Sequence, residues 1–315
     1  MSRISKALIA PAVLAGLAFT TISAFAQEVP AEGPVPTTAL ITVQSKSGEP
    51  LDPAQLRLQI NRHDAPITSV TPVKPAAAQV AILIDDGVRS SFSNQLSDFS
   101  DFINQLPQGT KVFLGYMQNG TVRSSMHGFS ADHAAVAQQL RIPFSVAGVD
   151  ASPYFCLSEF VKHWPSNEPG PRFVLLITNG VDPYNGRPSV LNQDSPYVQT
   201  AQEDAERAGV AVYSIYYAES GLRGGRGSFS GQSYLQQVAE ATGGESFYQG
   251  TITPPSLSPY LNMFAKSIAE SYTVSFTTNA TNEKRDSITQ IKLTTKQPGV
   301  KIHAPEGVHP GVDLQ

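Results

Sequence analysis

Residues 79–84 (Gln-Val-Ala-Ile-Leu-Ile) and 173–177 (Phe-Val-Leu-Leu-Ile) are short, nearly unbroken apolar runs that end abruptly in polar and small residues. Runs of that length suit strands buried on both faces, as in a parallel sheet between helices. Residues 210–217 repeat the pattern. Between these runs the period changes: Phe92, Leu96, Phe99, Phe102, Ile103 and Leu106 recur at helical spacing until Pro107 stops the helix. Further helices are predicted over 131–140, 153–164, 197–208, 234–242 and 257–270, with a short strand over 245–248. Strands over 111–117 and 121–126 flank Asn119-Gly120, a strong tight-hairpin signal. The Gly- and Arg-rich stretch 221–231 reads as a mobile loop. The alternation predicts an open α/β sheet with one antiparallel strand, and in such sheets ligands bind at the carboxyl ends of the strands.

The flanks have a different pattern. Residues 38–44 and 56–60 alternate as strands around a Ser-Gly-Glu-Pro turn, giving a small β element over 38–72. After the main domain, 79–270, the segments 272–276, 288–294 and 300–302 alternate without helices. They form a C-terminal β appendage over 271–315, expected to pair with the β element near the start. Residues 27–37, rich in Pro, Glu and Thr, read as a flexible linker. Residues 1–26 have the form of a secretory signal peptide: Arg3 and Lys6, an apolar stretch, then Ala24-Phe25-Ala26 with cleavage before Gln27. The alternative is an uncleaved anchor, but the apolar part falls short of the ~20 residues a span needs and contains Pro11. No Cys follows it to take a lipid. The expected location is therefore secreted or periplasmic, with no transmembrane segment in the mature chain.

Composition narrows the function. The chain has 22 Lys and Arg against 26 Asp and Glu, and loss of the leader shifts the balance further to the acidic side. With no basic run, a general nucleic-acid binder is disfavoured. The single cysteine, Cys156, excludes an intramolecular disulfide and reads as a buried, inert thiol. The six His residues (63, 127, 133, 163, 303 and 309) show no metal-ligand spacing. Gly227-Ser228-Phe229-Ser230-Gly231 has Phe where a nucleophile elbow needs Ser. Tyr213, Tyr216 and Tyr217 read as core, and no sugar-stacking aromatics are expected near the rim acids.

In order and spacing, the strand ending in Asp85, the Asn119-Gly120 hairpin, Gly148-Val149-Asp150, and residues 175–180 (Leu-Leu-Ile-Thr-Asn-Gly) resemble the von Willebrand factor A (VWA) domain. With the flanking strands included, the likeness narrows to the secreted A-domain-related proteins of Acidobacteria, and it covers nearly everything after residue 37. The resemblance implies an open doubly wound, Rossmann-like VWA sheet with a small β appendage from the two flanks. It also implies a metal-ion-dependent adhesion site: Asp-x-Ser-x-Ser in one loop, a Thr in a second and an Asp in a third, holding a hard cation through oxygen ligands. Asp85 keeps the first acid. Gly87 and Arg89 stand at the two Ser positions, Asp150 stands near the Thr position with Ser152 close by, and Asn179 replaces the third-loop acid.

An Arg89 guanidinium beside Asp85 and Asp150 would take the place of the cation's charge. The expected site is therefore a degenerate adhesion site on the strand-end rim, comprising Asp85, Asp86, Arg89, Ser90, Asp150, Ser152, Asn179 and Asp182. No cofactor, no metal and no catalytic residues are expected. The function expected from this is an exported, non-enzymatic module for binding a protein partner. Two alternatives stand beside it: a secreted hydrolase using Asp85 and Asp150, and a divalent-metal-dependent adhesion protein with a non-standard site from Asp86, Asp150 and Asp182.

Overall fold

The central apolar runs form a six-stranded sheet because alternate residues of each run reach opposite faces, and both faces are covered. The computed structural model describes residues 33–88, 90–144, 152–186, 192–218, 225–250, 252–280 and 288–315. In chain order its elements are β1 (Gly33–Ser45), β2 (Leu56–Ile60), β3 (His63–Ala65), β4 (Ile67–Pro72), β5 (Gln79–Asp85), α1 (Leu96–Gln105), β6 (Lys111–Gln118) and β7 (Thr121–Arg123). Then follow α2 (His133–Ala137), α3 (Pro153–Lys162), β8 (Arg172–Thr178), α4 (Pro196–Arg207), β9 (Val210–Tyr216), α5 (Gly225–Ala241), β10 (Ser246–Phe247) and α6 (Ser258–Ala269). The chain closes with β11 (Ser271–Ala280), β12 (Thr289–Thr295), β13 (Val300–His303) and β14 (Gly307–Val308).

The strand order in the main sheet is β10-β9-β8-β5-β6-β7. All neighbours run parallel except β7, which turns back on β6 through Asn119 and Gly120. Both turn residues have positive φ, 50° and 74°, as a two-residue hairpin of this hand requires. On one face Val80, Ile82 and Ile84 of β5 pack with Phe99, Phe102 and Ile103 of α1 and with Phe264 and Ile268 of α6. On the other, Ala81 and Leu83 pack with Leu157 of α3, Ala201 and Ala205 of α4 and Val238 of α5. With both faces dry, the strands read as continuous apolar runs rather than alternating ones.

The two flanks meet in a β sandwich. One sheet has the order β13-β1-β11-β4 and the other β14-β12-β2-β3. Ala39, Ile41, Val274 and Phe276 face Leu58, Ile291 and Leu293 between them. The strands β3, β4 and β14 were not anticipated from the alternation. Residues 33–37, expected in the flexible linker, are instead the first part of β1. They pair with the far end of β11, Gly33 opposite Ala280 and Thr37 opposite Phe276. Pro34 and Pro36, which have no N–H to donate, lie where β13 does not reach, since it pairs only with 42–45. The sandwich joins the main domain through Leu40, which enters the sheet's core, and through a 2.6 Å hydrogen bond between the Thr42 and Tyr213 hydroxyls.

A second correction concerns the glycine-rich stretch. Residues 221–224 lie outside the described residues, but Gly225 to Gly231 form the start of α5 rather than a loop. Glycine weakens a helix interior, yet here it permits a close approach. A Cβ on Gly231 would overlap the Asn179 carbonyl, so α5 can approach the end of β8 only because position 231 lacks a side chain.

Candidate functional site

The carboxyl ends of β5, β6 and β8 carry the polar residues that the apolar runs end in. Asp85 closes β5 beside Thr178, the last residue of β8. Its Oδ2 accepts the Thr178 hydroxyl at 2.7 Å and its Oδ1 accepts the Gly87 N–H at 2.9 Å. Burial pushes the Asp85 carboxyl above its usual range. The bonds from Thr178 and Gly87 oppose that shift, and the nearby Asp86 adds to it.

Asp86 turns the other way and is only 1% exposed. Its Oδ1 pairs with Arg141 Nη1 at 2.6 Å and accepts the Phe144 N–H at 3.4 Å, while its Oδ2 is buried without a partner. The Arg141 guanidinium lies between two rings, 3.7 Å from the centroid of Tyr116 and 4.1 Å from that of Phe144. The Tyr116 hydroxyl accepts the Arg141 backbone N–H at 2.7 Å and donates to the Arg141 carbonyl at 3.0 Å. The cation paired with Asp86 is thus Arg141, which sequence reasoning did not single out. Its only signal was a lone basic residue between Leu140 and Ile142. Arg89 and Asp150 lie outside the described residues, as does the side chain of Ser90; the backbone of Ser90 opens a 3₁₀ turn, Ser90–Gln95.

The remaining predicted residues are inward-facing parts of the loops. Asn179 is buried, with its Oδ1 accepting the Val181 N–H at 2.8 Å. Gly180 then takes φ +67°, its carbonyl accepting the Tyr154 hydroxyl at 2.7 Å. Asp182 is 2% exposed. It accepts the Tyr184 N–H at 3.1 Å and the Ser195 hydroxyl at 2.7 Å, and Ser195 in turn caps the N-terminus of α4. Ser152 is fully buried and caps α3 by accepting the Tyr154 N–H. Asp182 and Ser152 therefore shape the loops and present no oxygen to a partner.

Among the described residues, this end of the sheet exposes several large apolar side chains. Phe144 is 72% exposed and Tyr184 52%, with Ile142 and Tyr197 also open. Phe155 in the first turn of α3, Tyr184 after β8 and Tyr197 in the first turn of α4 form one surface cluster. Their ring centroids lie 4.9 Å apart for Phe155–Tyr184 and Phe155–Tyr197, and 6.2 Å for Tyr184–Tyr197. None of these ring contacts involves Asp85, and Asp150 lies outside the described residues, so the cluster stands apart from the expectation about aromatics near those two acids. The three rings come from separate elements, brought together because α3 and α4 both begin at the carboxyl end.

Among the described residues, the donor set at the rim does not fit a divalent cation. The Asp85 carboxylate is engaged on both oxygens, the Asp86 charge is matched by Arg141, and the Asn179 carbonyl is spent on its own loop. Among the described residues no three His, Cys, Asp or Glu side chains are grouped to hold a metal ion. A hard cation of this kind takes six or more oxygens, mostly anionic or waters.

No family model matches the chain, and no curated protein matches it. Among solved structures, an aerotolerance-related membrane protein from Bacteroides fragilis superposes with a TM-score of 0.43 at 12% identity, over 61% of this chain and 98% of that one. BatB from Bacteroides thetaiotaomicron gives a TM-score of 0.41 at 13% identity, over 61% and 96%. Proximal thread matrix protein 1 from the mussel byssus, with a zinc-occupied MIDAS motif, gives 0.45 at 13% identity, over 67% and 50%. Among the described residues no helix is long and apolar enough to cross a membrane.

Proposed function

We propose that this chain is an exported, non-enzymatic module that binds a protein partner through the carboxyl-end rim of a VWA-type domain with a degenerate metal-ion-dependent adhesion site. The single observation that carries this reading is the division of labour at the rim: the predicted polar site residues described there are engaged in hydrogen bonds and an ion pair, whereas the large apolar side chains of Phe144, Ile142, Tyr184 and Tyr197 are exposed. Exposed aromatic side chains supply contact area at low entropic cost, as protein interfaces favour. The VWA assignment rests on the strand order with its one antiparallel edge strand, and on Asp85 and Thr178-Asn179-Gly180 standing where the family's loops stand. Export rests on the leader-like residues 1–26, and the finer likeness to secreted A-domain-related proteins rests on the flanking strands.

The reading is tested by immobilising the mature chain and capturing partners from the native envelope, with and without chelator. A specific protein retained in both conditions, and lost from Phe144→Ser and Tyr184→Ser variants that melt like the parent, supports it. Retention indifferent to both changes refutes the rim. The raised Asp85 carboxyl favours one alternative, a hydrolase with Asp85 as general acid. Turnover of esterase, peptidase, glycosidase or phosphatase substrates that vanished in Asp85→Asn would establish that alternative instead.

A further inference from the structure

We propose that the contact between α4 and β14 is a latch that tightens in acid, joining the main domain to the β sandwich, with Glu206 as its titrating group. This goes beyond the binding reading and does not depend on it.

Glu206 sits in the last turn of α4 and faces Gly307, the first residue of β14. The two elements are pressed together: a Cβ on Gly307 would lie 2.9 Å from Glu206 Oε2, and the Gly307 N–H donates to that carboxylate. A second bond crosses the same joint, from the Glu306 N–H to the carbonyl of Ala241 at the end of α5, 2.8 Å long. The Ile291 N–H holds the Glu306 carbonyl from β12 at 2.9 Å, so the backbone carrying the second acid is fixed from both sides.

A cavity of about 390 Å³ opens between α4 and β14, lined by Glu203, Glu206, Arg207, Gln290 and Glu306 among others. The charges facing Glu206 are Glu203 and Arg207 from its own helix and Glu306 from the sandwich. The other two elements bring Ala241 and Gln290, which carry no charge. Arg207 is the one cation among them, and it is bonded to Asp204 at 2.6 Å. Burial first, and then repulsion from Glu306, push the Glu206 carboxyl up to about 7; the Gly307 N–H opposes them.

When the joint opens, Glu206 is hydrated and its carboxyl returns toward the ordinary 4.5. The closed joint therefore holds the extra proton between about pH 4.5 and 7. Its advantage is complete below that window and is lost as pH rises through it. Across the window the opening equilibrium changes by up to roughly tenfold per pH unit.

The test is amide hydrogen exchange of the full chain, each rate divided by its unfolded-chain value at the same pH. The Glu306 and Gly307 amides report the joint, and Val274, in the middle of β11, is the control. The latch predicts that protection at Glu306 and Gly307 falls by roughly tenfold or more between pH 5 and pH 8 while Val274 does not follow. In Glu206→Gln, whose amide carbonyl still accepts the Gly307 N–H, the fall disappears. Exposed Glu306 gives a second, milder variant: in Glu306→Gln the midpoint moves to lower pH. Protection at Glu306 and Gly307 that is independent of pH in the parent, an equal fall in Glu206→Gln, or an unmoved midpoint in Glu306→Gln overturns the proposal.

Discussion

Removing the Arg141 guanidinium is the perturbation whose consequence the structure specifies most closely. Asp86 is 1% exposed and keeps one oxygen without a partner even with Arg141 in place. In Arg141→Gln the carboxylate loses its ion pair with Arg141 and keeps a 3.4 Å bond from the Phe144 N–H. Breaking a buried pair by deleting one partner costs about 3–5 kcal/mol, because the other charge remains buried. The Arg141 side chain is 33% exposed, so water reaches the gap it leaves. That places the loss toward the lower end, about 3 kcal/mol. For a chain of this size each kcal/mol moves the melting temperature by about 2–4 °C, so the melt should fall by about 6–12 °C. The double variant Asp86→Asn/Arg141→Gln removes the buried charge as well and should recover most of that fall. Thermal and urea melts of the parent, both single variants and the double form a complete cycle. A single Arg141→Gln variant melting within about 2 °C of the parent, or a double variant as unstable as Arg141→Gln, refutes the reasoning.

Three further outcomes follow from the same geometry and from the leader. Gly180→Ala should cost about 2–4 kcal/mol, because a Cβ there would sit 2.5 Å from the Gly231 carbonyl oxygen at a φ of +67°; a urea midpoint equal to the parent's would show that the loop and α5 are not packed as described. Burial pushes the Cys156 thiol up to about 12, so at pH 8 a thiol reagent should label the native chain only as fast as it unfolds, and labelling within seconds would contradict a closed core. N-terminal sequencing of protein from the native cell should read Gln27 first; Met1 or Ser2 in a soluble cytoplasmic pool would remove the case for export.

Much of the main domain was legible because its strands are dry on both sides. A run such as 79–85 has no alternation to misread, and its length and abrupt polar end place Asp85 at a strand terminus without further information. The Asn119-Gly120 turn was legible for a local reason, since positive φ at two adjacent positions selects those residue types. The pairing of Asp86 with Arg141 was not legible. It links positions 55 residues apart, and nothing in either local pattern encodes the other. The surface cluster of Phe155, Tyr184 and Tyr197 was hidden for the same reason: the first turn of α3, the loop after β8 and the first turn of α4 each contribute one residue. The start of α5 was misread because glycine's propensity points to a loop, whereas the close approach of Gly231 to Asn179 makes glycine the residue that fits. Residues 33–37 looked like a linker by composition, and pairing with β11 outweighed it.

The claim at the centre of the account is that the rim works without a divalent cation, and a thermal melt tests it most directly. A site filled at a hundred times its dissociation constant adds about 2.7 kcal/mol, a rise of roughly 5–11 °C for a chain of this size. The unmodified chain should show no such rise in millimolar Mg²⁺ or Mn²⁺ relative to chelator, whereas the triple change Gly87→Ser, Arg89→Ser and Asn179→Asp should introduce one. A clear metal-dependent rise in the unmodified chain, abolished by Asp85→Ala, would contradict the account.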